Sequence, residues 1–133
     1  MGKNRQSVKT TLPTPGELRL LQILWRIGYG TIDDIVRASR EDPPPNYKTV
    51  QAWLRIMGGK GQVDHKQEGR AFVFWPLISR GDVHRLSLRH LLAKYFAGSR
   101  SDLLMELLSD ERISREELRQ LENLIRNRRQ EKT

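Results

Sequence analysis

The chain contains no cysteine, which excludes disulfide bonds, thiolate zinc sites and cysteine nucleophiles. Hydrophobic residues are also scarce, at 37% of the sequence, against roughly 45–50% in an average globular chain. Apolar runs are short, and none approaches the ~18 residues typical of a membrane-spanning helix. These absences predict a cytoplasmic protein with a small core and no membrane segment, in which exposed apolar helix faces need a partner.

What the chain has in excess is positive charge. Its 133 residues include 24 Lys and Arg against 16 Asp and Glu, which gives a net charge of +8. Such an excess is typical of proteins that bind polyanions, most often nucleic acid, although charge alone does not decide the matter. The first ten residues are basic but lack the apolar run of a signal peptide. We therefore expect residues 1–11 to form a disordered basic arm.

Three short helices are predicted in the first half of the chain. Residues 14–17, Thr-Pro-Gly-Glu, combine a capping threonine, a proline at the first helical position and a glutamate three residues after the cap. A second helix begins after Thr31 and ends near Ser39. A third begins after Asn46, beyond three consecutive prolines, and continues to about Met57 before a glycine-rich stretch.

The periodicity then changes from helical to alternating, which predicts a β-hairpin. Residues 63–67 alternate in character, residues 68–70 favour a turn, and the β-rich run 71–75 is stopped by Pro76. Three short helices followed by a hairpin of this size predict a winged helix-turn-helix domain over residues 12–78. Phe72, Phe74 and Trp75 are expected to be packing residues divided between the two faces of their strand.

Residues 79–133 are predicted to be helical throughout. Ser79 and Asp82 are placed to cap a helix that ends near Gly98, a shorter helix follows, and the last begins after Ser114. Three leucine-striped helices of this length cannot form a large core alone, so we expect them to pair with a second copy of the chain. The predicted dimerisation residues are Leu86, Leu92, Phe96, Leu104, Leu108, Leu118, Leu121 and Ile125. The fold class expected is mainly α with a small β-hairpin.

The third helix carries the residues that best fit DNA recognition. Its apolar side faces the other two helices, and its opposite side presents Lys48, Thr49, Gln51, Ala52 and Arg55. Amide, methyl and cationic groups on one exposed helix face can contact base edges in the major groove. Composition alone favours an ordinary solvated helix face for these residues, but their position between a helix-turn unit and a hairpin reverses this and favours DNA. In the hairpin, Lys66 and Arg70 are expected to contact phosphate or the minor groove.

Other chemistry finds little support in the sequence. His84 and His90 lie six residues apart on one predicted helix, which is not the i, i+4 spacing of a metal pair. Residues 58–61, Gly-Gly-Lys-Gly, lack the preceding strand and the following Ser or Thr of a phosphate-binding loop. We therefore expect no catalytic residues, no metal site, no cofactor and no enzymatic activity.

Several motifs in order resemble the penicillinase-repressor family of the BlaI/MecI/CopY type. They are Leu12-Pro13-Thr14 with Glu17, Ile23-Leu24-Trp25, Tyr47-Lys48-Thr49-Val50-Gln51, Lys60-Gly61-Gln62-Val63, Gly69-Arg70-Ala71-Phe72, Trp75-Pro76, Phe96 with Gly98-Ser99, and Ile113-Ser114 with Glu116-Glu117-Leu118. The resemblance covers roughly residues 12–126. It implies a homodimeric winged-helix repressor of an inverted-repeat DNA operator, released when its C-terminal region is cut after a membrane sensor detects a β-lactam. A sensor protease is therefore a potential partner.

The sequence departs from this family at the end of the third helix. Ile56 stands where the family usually has arginine, and Gly58 and Gly59 stand where it has bulkier residues. The first change removes a phosphate or wing anchor, and each glycine lowers helix propensity by about 1 kcal/mol. The absence of cysteine sets aside the family's copper-sensing branch. Outside the family, the competing hypothesis is an adaptor whose winged helix and tail contact only proteins, but residues 46–55 contain none of the acids that such a surface would tolerate.

Overall fold

Six helices and one two-stranded antiparallel sheet make up residues 12–132, the part of the chain that this computed structural model describes. The elements are α1 (Pro15–Ile27), α2 (Ile32–Ala38), α3 (Tyr47–Gly59), β1 (Val63–Glu68), β2 (Ala71–Pro76), α4 (Arg80–Tyr95), α5 (Arg100–Leu108) and α6 (Arg115–Glu131). The order confirms the expected fold, a winged-helix domain followed by C-terminal helices. The predicted basic arm lies outside the described residues.

The chain divides into two compact units between Arg89 and His90, within α4. The first unit therefore contains α1 to α3, the hairpin and the first part of α4, in which Val83 and Leu86 pack on the unit's core. The functional division at residue 79 that the sequence predicts stays a prediction.

The first two helices begin where the sequence predicts, because their caps form completely. The Thr14 hydroxyl accepts the Glu17 amide at 3.2 Å, and the Glu17 carboxylate accepts the Thr14 amide at 3.0 Å. Thr31 and Asp34 repeat this reciprocal pair at the start of α2, at 3.1 and 3.0 Å. Each pair satisfies amide groups that have no partner within the helix.

Helix α3 is longer than predicted. Asn46 caps its start by accepting the Lys48 amide at 2.8 Å, but its end lies at Gly59 and not near Met57. The two glycines form the last helical turn because Lys60 keeps a right-handed helical conformation and its amide donates to the Ile56 carbonyl at 3.1 Å. The chain turns away only at Gly61, whose φ is +77°.

The core of the first unit lies between α1, α2 and α3. Its buried side chains are Leu20, Leu21, Ile23, Leu24, Ile32, Ile35, Val50, Leu54, Met57, Val63, Ile78 and Val83. Helices α1 and α3 meet closely at Gly16, where a Cβ atom would lie 2.8 Å from the Trp53 ring. This close approach orients α3 within the domain.

The hairpin is tied to the helices by one bridge that the sequence does not reveal. Its strands pair from Val63↔Pro76 to Glu68↔Ala71, around a turn at Gly69 with φ +64°. Gly30, between α1 and α2, exchanges two backbone hydrogen bonds with Phe74, at 3.0 and 2.8 Å. This bridge acts as a minimal third strand and holds β2 against the segment between α1 and α2.

In the second unit, α4 ends at Tyr95, three residues before the predicted stop. Ala97 and Gly98 follow with φ of +48° and +79°, and the Gly98 amide donates a hydrogen bond to the Leu92 carbonyl at 2.8 Å. Ser99 and Ser114 cap the next two helices by accepting the amides of Asp102 and Glu117. Both α5 and α6 leave large apolar side chains exposed, namely Leu104, Met105, Leu107, Leu108, Leu118, Leu124 and Ile125.

Candidate nucleic-acid interface

Helix α3 has one buried and one exposed side. Val50, Leu54 and Met57 are at most 1% exposed and hold the helix on the core. The opposite side bears the residues proposed for recognition: Lys48, Thr49, Gln51 and Arg55 are exposed, and Ala52 is half-buried. We call α3 the recognition helix and the β1–β2 hairpin the wing.

The recognition helix and the wing form one continuous surface. A groove of about 360 Å³ is lined by Gln51 and Arg55 from the helix and by His65 and Phe72 from the wing. A second groove, of about 380 Å³, is lined by Gln51, Phe72 and Arg70. Because Gln51 and Phe72 line both grooves, the structure brings three predicted site residues, Gln51, Arg55 and Arg70, onto one surface.

Lys66 lies elsewhere on the wing. Successive side chains of a strand point to opposite faces, so His65 faces the recognition helix and Lys66 faces away. Lys66 lines a separate groove with Tyr29 and Trp75, and its ammonium group pairs with the Glu68 carboxylate at 3.2 Å. The structure therefore separates the two predicted wing cations, Arg70 and Lys66.

Two aromatic contributions to this surface were missed by the sequence analysis. The His65 ring packs against Phe72 and Phe74, each with a centroid separation of 5.4 Å, and Phe72 is 47% exposed. Tyr47, the first residue of the recognition helix, lines the second groove. The alternation of β1 and β2 could have placed His65 with Phe72 on one face, but the sequence did not show which face lies toward α3.

The charge of this surface is mixed. Within residues 12–132, Lys48, Arg55 and Arg70 form no ion pair. Two acidic side chains, Asp33 and Glu68, line the second groove together with Arg70. The unpaired cations remain available to contact the DNA backbone from the helix and the wing tip.

Nearby, the cap of α2 holds a fixed negative charge. The Thr31 amide and then the Arg37 guanidinium lower the pKa of Asp34 below its ordinary value of 3.8, despite partial desolvation. The carboxylate pairs with Arg37 at 2.7 Å. Asp34 therefore stays ionised at neutral pH and serves the local helix cap.

The predicted dimerisation residues differ in their surroundings. Leu86 packs on the core of the first unit, and Leu92 is buried. Phe96 and Leu121 are half-buried, whereas Leu104, Leu108, Leu118 and Ile125 are exposed. The exposed members lie on α5 and α6.

Comparison with known proteins decides the family. The penicillinase repressor family model matches residues 13–127. The chain belongs to the penicillinase repressor family. It is 24% identical over 118 residues to the penicillinase repressor of Bacillus licheniformis, an alignment that covers 86% of this chain and 92% of the relative. It is 20% identical over 117 residues to the methicillin resistance regulatory protein MecI of Staphylococcus aureus, covering 88% and 95%, and of Mammaliicoccus sciuri, with the same coverage.

Family membership confirms the prediction of a DNA-binding transcriptional repressor, and the adaptor alternative does not fit it. Members of this family are regulatory proteins and not enzymes. Among residues 12–132, no group of three or more His, Asp or Glu side chains is placed to hold a metal ion. The same residues contain no helix long and apolar enough to cross a membrane.

Proposed function

We propose that this chain represses transcription in the cytoplasm as a homodimer that binds an inverted-repeat operator. The observation that carries the proposal is the shared surface of Gln51, Arg55 and Arg70, formed by the exposed side of α3 and the tip of the wing. A helix-turn-helix protein inserts such a helix into the major groove while flanking elements contact the backbone. We therefore expect exposed residues of α3 to contact bases and the wing tip to contact phosphate.

Each recognition residue has a role that follows from its chemistry. The Gln51 amide can form two hydrogen bonds with adenine, and the methyl groups of Thr49 and Ala52 can contact the thymine methyl. Lys48 and Arg55 can contact guanine or phosphate. Arg70 is a phosphate or minor-groove contact, because it extends from the wing turn beside the groove that Gln51 lines.

Selection of binding sites from a random duplex library tests base recognition. Gln51→Ala is expected to weaken binding to the selected operator by about 1–3 kcal/mol and to relax the preference at one position in each half-site. Gln22→Ala is the matched control, because Gln22 is an exposed glutamine on α1. An unchanged preferred sequence for Gln51→Ala would show that Gln51 does not contact a base.

Dimerisation is proposed from the exposed apolar side chains of α5 and α6. The two winged-helix domains of a dimer would bind two half-sites at once. The half-sites should be spaced by a multiple of about one turn of the DNA helix. Ile125→Glu places a charge on a side chain that is 55% exposed in the single chain, so it should prevent association without unfolding α6. Gln120→Glu adds the same charge at another exposed position of that helix.

Sedimentation of the full-length variants, together with operator titration, measures both effects. We expect a dimer for the unmodified chain and Gln120→Glu, and a monomer with weak operator binding for Ile125→Glu. A monomeric unmodified chain at micromolar concentration would refute dimerisation.

The inducing signal is proposed from the relatives, which are named for penicillinase repression and methicillin resistance regulation. We propose that a β-lactam-type signal releases this repressor by proteolysis of its C-terminal region. The test is a reporter gene under the selected operator, followed with immunoblotting of the chain. Derepression with a shortened chain after β-lactam addition supports the proposal, and derepression with the chain intact contradicts the proteolytic step.

A further inference from the structure

A buried carboxylate joins the start of α1 to the segment that connects α3 with β1. Glu17, at the start of α1, is only 5% exposed. Its Oε2 accepts a hydrogen bond from Lys60 Nζ at 2.8 Å, and its Oε1 accepts one from Gln62 Nε2 at 3.4 Å. The same Oε1 accepts the Thr14 amide, so helix capping uses only part of this carboxylate.

Gln62 is the residue through which the wing leaves the recognition helix. Its amide donates to the Met57 carbonyl at 2.9 Å, and its carbonyl accepts the amide of Leu77 at 2.8 Å and that of Ile78 at 3.4 Å. One residue therefore links the last turn of α3, the start of β1 and the chain beyond β2. Lys60, which caps α3, is the other residue that Glu17 holds.

The side chain of Gln62 has a single anchor. It is completely buried, and within residues 12–132 its Oε1 has no hydrogen-bond partner. The bond from its Nε2 to Glu17 is therefore what orients it. A buried amide tolerates few arrangements, because a second unsatisfied polar atom would be costly.

The charge on Glu17 persists at neutral pH. Burial raises the pKa of Glu17, but the hydrogen bond from Lys60, the Thr14 amide and the Lys60 charge outweigh it and hold the pKa below its ordinary value of 4.5. Lys60 keeps a partly exposed side chain, so the pair joins the interior to the surface near the end of α3.

We infer that Glu17 is a positioning residue for operator recognition: through Lys60 and Gln62 it fixes where the wing leaves the recognition helix. The inference rests on the proposed function, in which Gln51 on α3 and Arg70 on the wing contact one duplex together. Discrimination between sequences depends on this alignment, whereas nonspecific binding depends mainly on the number of phosphates neutralised. Glu17 itself is buried and contacts no DNA.

The test compares two affinities of the full-length protein with Glu17→Gln. The probes are the operator selected by the unmodified chain and a scrambled duplex of equal length, at several salt concentrations. We expect operator affinity to fall about tenfold, as when one base contact is misaligned. Affinity for the scrambled duplex and the salt slope should stay unchanged, because the phosphate contacts remain. Partial unfolding would instead lower both affinities by the same factor.

Asp82→Asn is the matched control. Asp82 forms the reciprocal cap of α4 with Ser79, at 3.0 Å in each direction, and pairs with Arg85 at 2.7 Å. It thus shares the local role of Glu17, a helix cap with a cationic partner, but its hydrogen bonds stay within the start of α4 and none reaches Gln62. Its ratio of operator to scrambled affinity should match that of the unmodified chain.

Lys60→Gln breaks the same network from the other side, and its ratio of operator to scrambled-duplex affinity replaces that of Glu17→Gln if the latter does not fold. It should reduce the same ratio, and the double variant should reduce it no further than the single ones, since all three break one network. Equal losses on both duplexes, an unchanged ratio, or the same ratio loss in Asp82→Asn would each overturn the inference. An unmodified chain that does not discriminate between the duplexes would overturn the proposed function itself, and the inference with it.

Discussion

The wing offers the sharpest quantitative prediction, because its two cations lie in different surroundings. Arg70 lies beside the groove that Gln51 lines and forms no ion pair within residues 12–132. Lys66 lies on the opposite face and is paired with Glu68. We therefore expect Arg70→Ala to remove a phosphate contact and Lys66→Ala to remove little.

The magnitude follows from counterion release. Each phosphate contact contributes about −0.9 to the slope of log K against log salt, so Arg70→Ala should flatten the slope by about 0.9 per chain and about 1.8 per dimer. Between 50 and 200 mM salt, a slope difference of about 1.8 corresponds to roughly a tenfold difference in the loss of affinity. Lys66→Ala should leave the slope nearly unchanged.

Gel-shift or anisotropy titrations of both variants at four or more salt concentrations measure this difference. Glu68→Gln is a useful third variant, because it removes a carboxylate that lines the same groove as Arg70, so binding should strengthen. Equal slopes for Arg70→Ala and the unmodified chain would remove Arg70 from the interface. If Lys66→Ala changed the salt slope more than Arg70→Ala, DNA would have to approach the other face of the wing.

Three further predictions concern the frame that holds this surface. Gly30→Ala should destabilise the domain by about 1–3 kcal/mol and weaken operator binding, because its Cβ would lie 2.9 Å from that of Asp34; Gly58→Ala, which faces open space, should be neutral or stabilising in the same urea titration. Leu54→Ala should cost about 2–5 kcal/mol in chemical denaturation, since Leu54 is 1% exposed. The ionised Glu17 should contribute its full share to the free energy of unfolding above about pH 4.5, and this share should fall as the pH drops through its depressed folded pKa. The free energy of unfolding of Glu17→Gln should therefore depend less on acid pH than that of the unmodified chain. An identical dependence would contradict the assignment.

Local signals explain why so much of the fold could be predicted. The start of α1 depends on the predicted pair of Thr14 with Glu17, and the start of α2 on the predicted cap Thr31, which pairs with Asp34 three residues on. The wing turn depends on Gly69, which supplies the positive φ. Each of these interactions joins neighbours in sequence, so a pattern of a few residues contains the whole cause.

Interactions between distant residues could not be predicted in the same way. Nothing near Gly30 in sequence indicates that its backbone pairs with Phe74, and the Glu17 pattern is fully explained by its cap. The bond to Gln62 becomes visible only when α1 and the wing meet. The same holds for Lys66, because alternation separates it from His65 without showing which residue faces α3.

The last turn of the recognition helix has few groups that could contact DNA bases. Gly58 and Gly59 present no side chains, and a Cβ atom at either position would meet nothing within 4 Å. Ile56 is 49% exposed, but it has no hydrogen-bonding or charged group for a phosphate or a base edge. Residues 56, 58 and 59 therefore offer no polar side chain for a contact with DNA. If the proposed function holds, we expect base recognition by α3 to come from its first part, from Lys48 to Arg55, and backbone contacts to come from the wing. An operator for this chain should accordingly have a short recognised half-site, with backbone contacts beyond it supplied by Arg70.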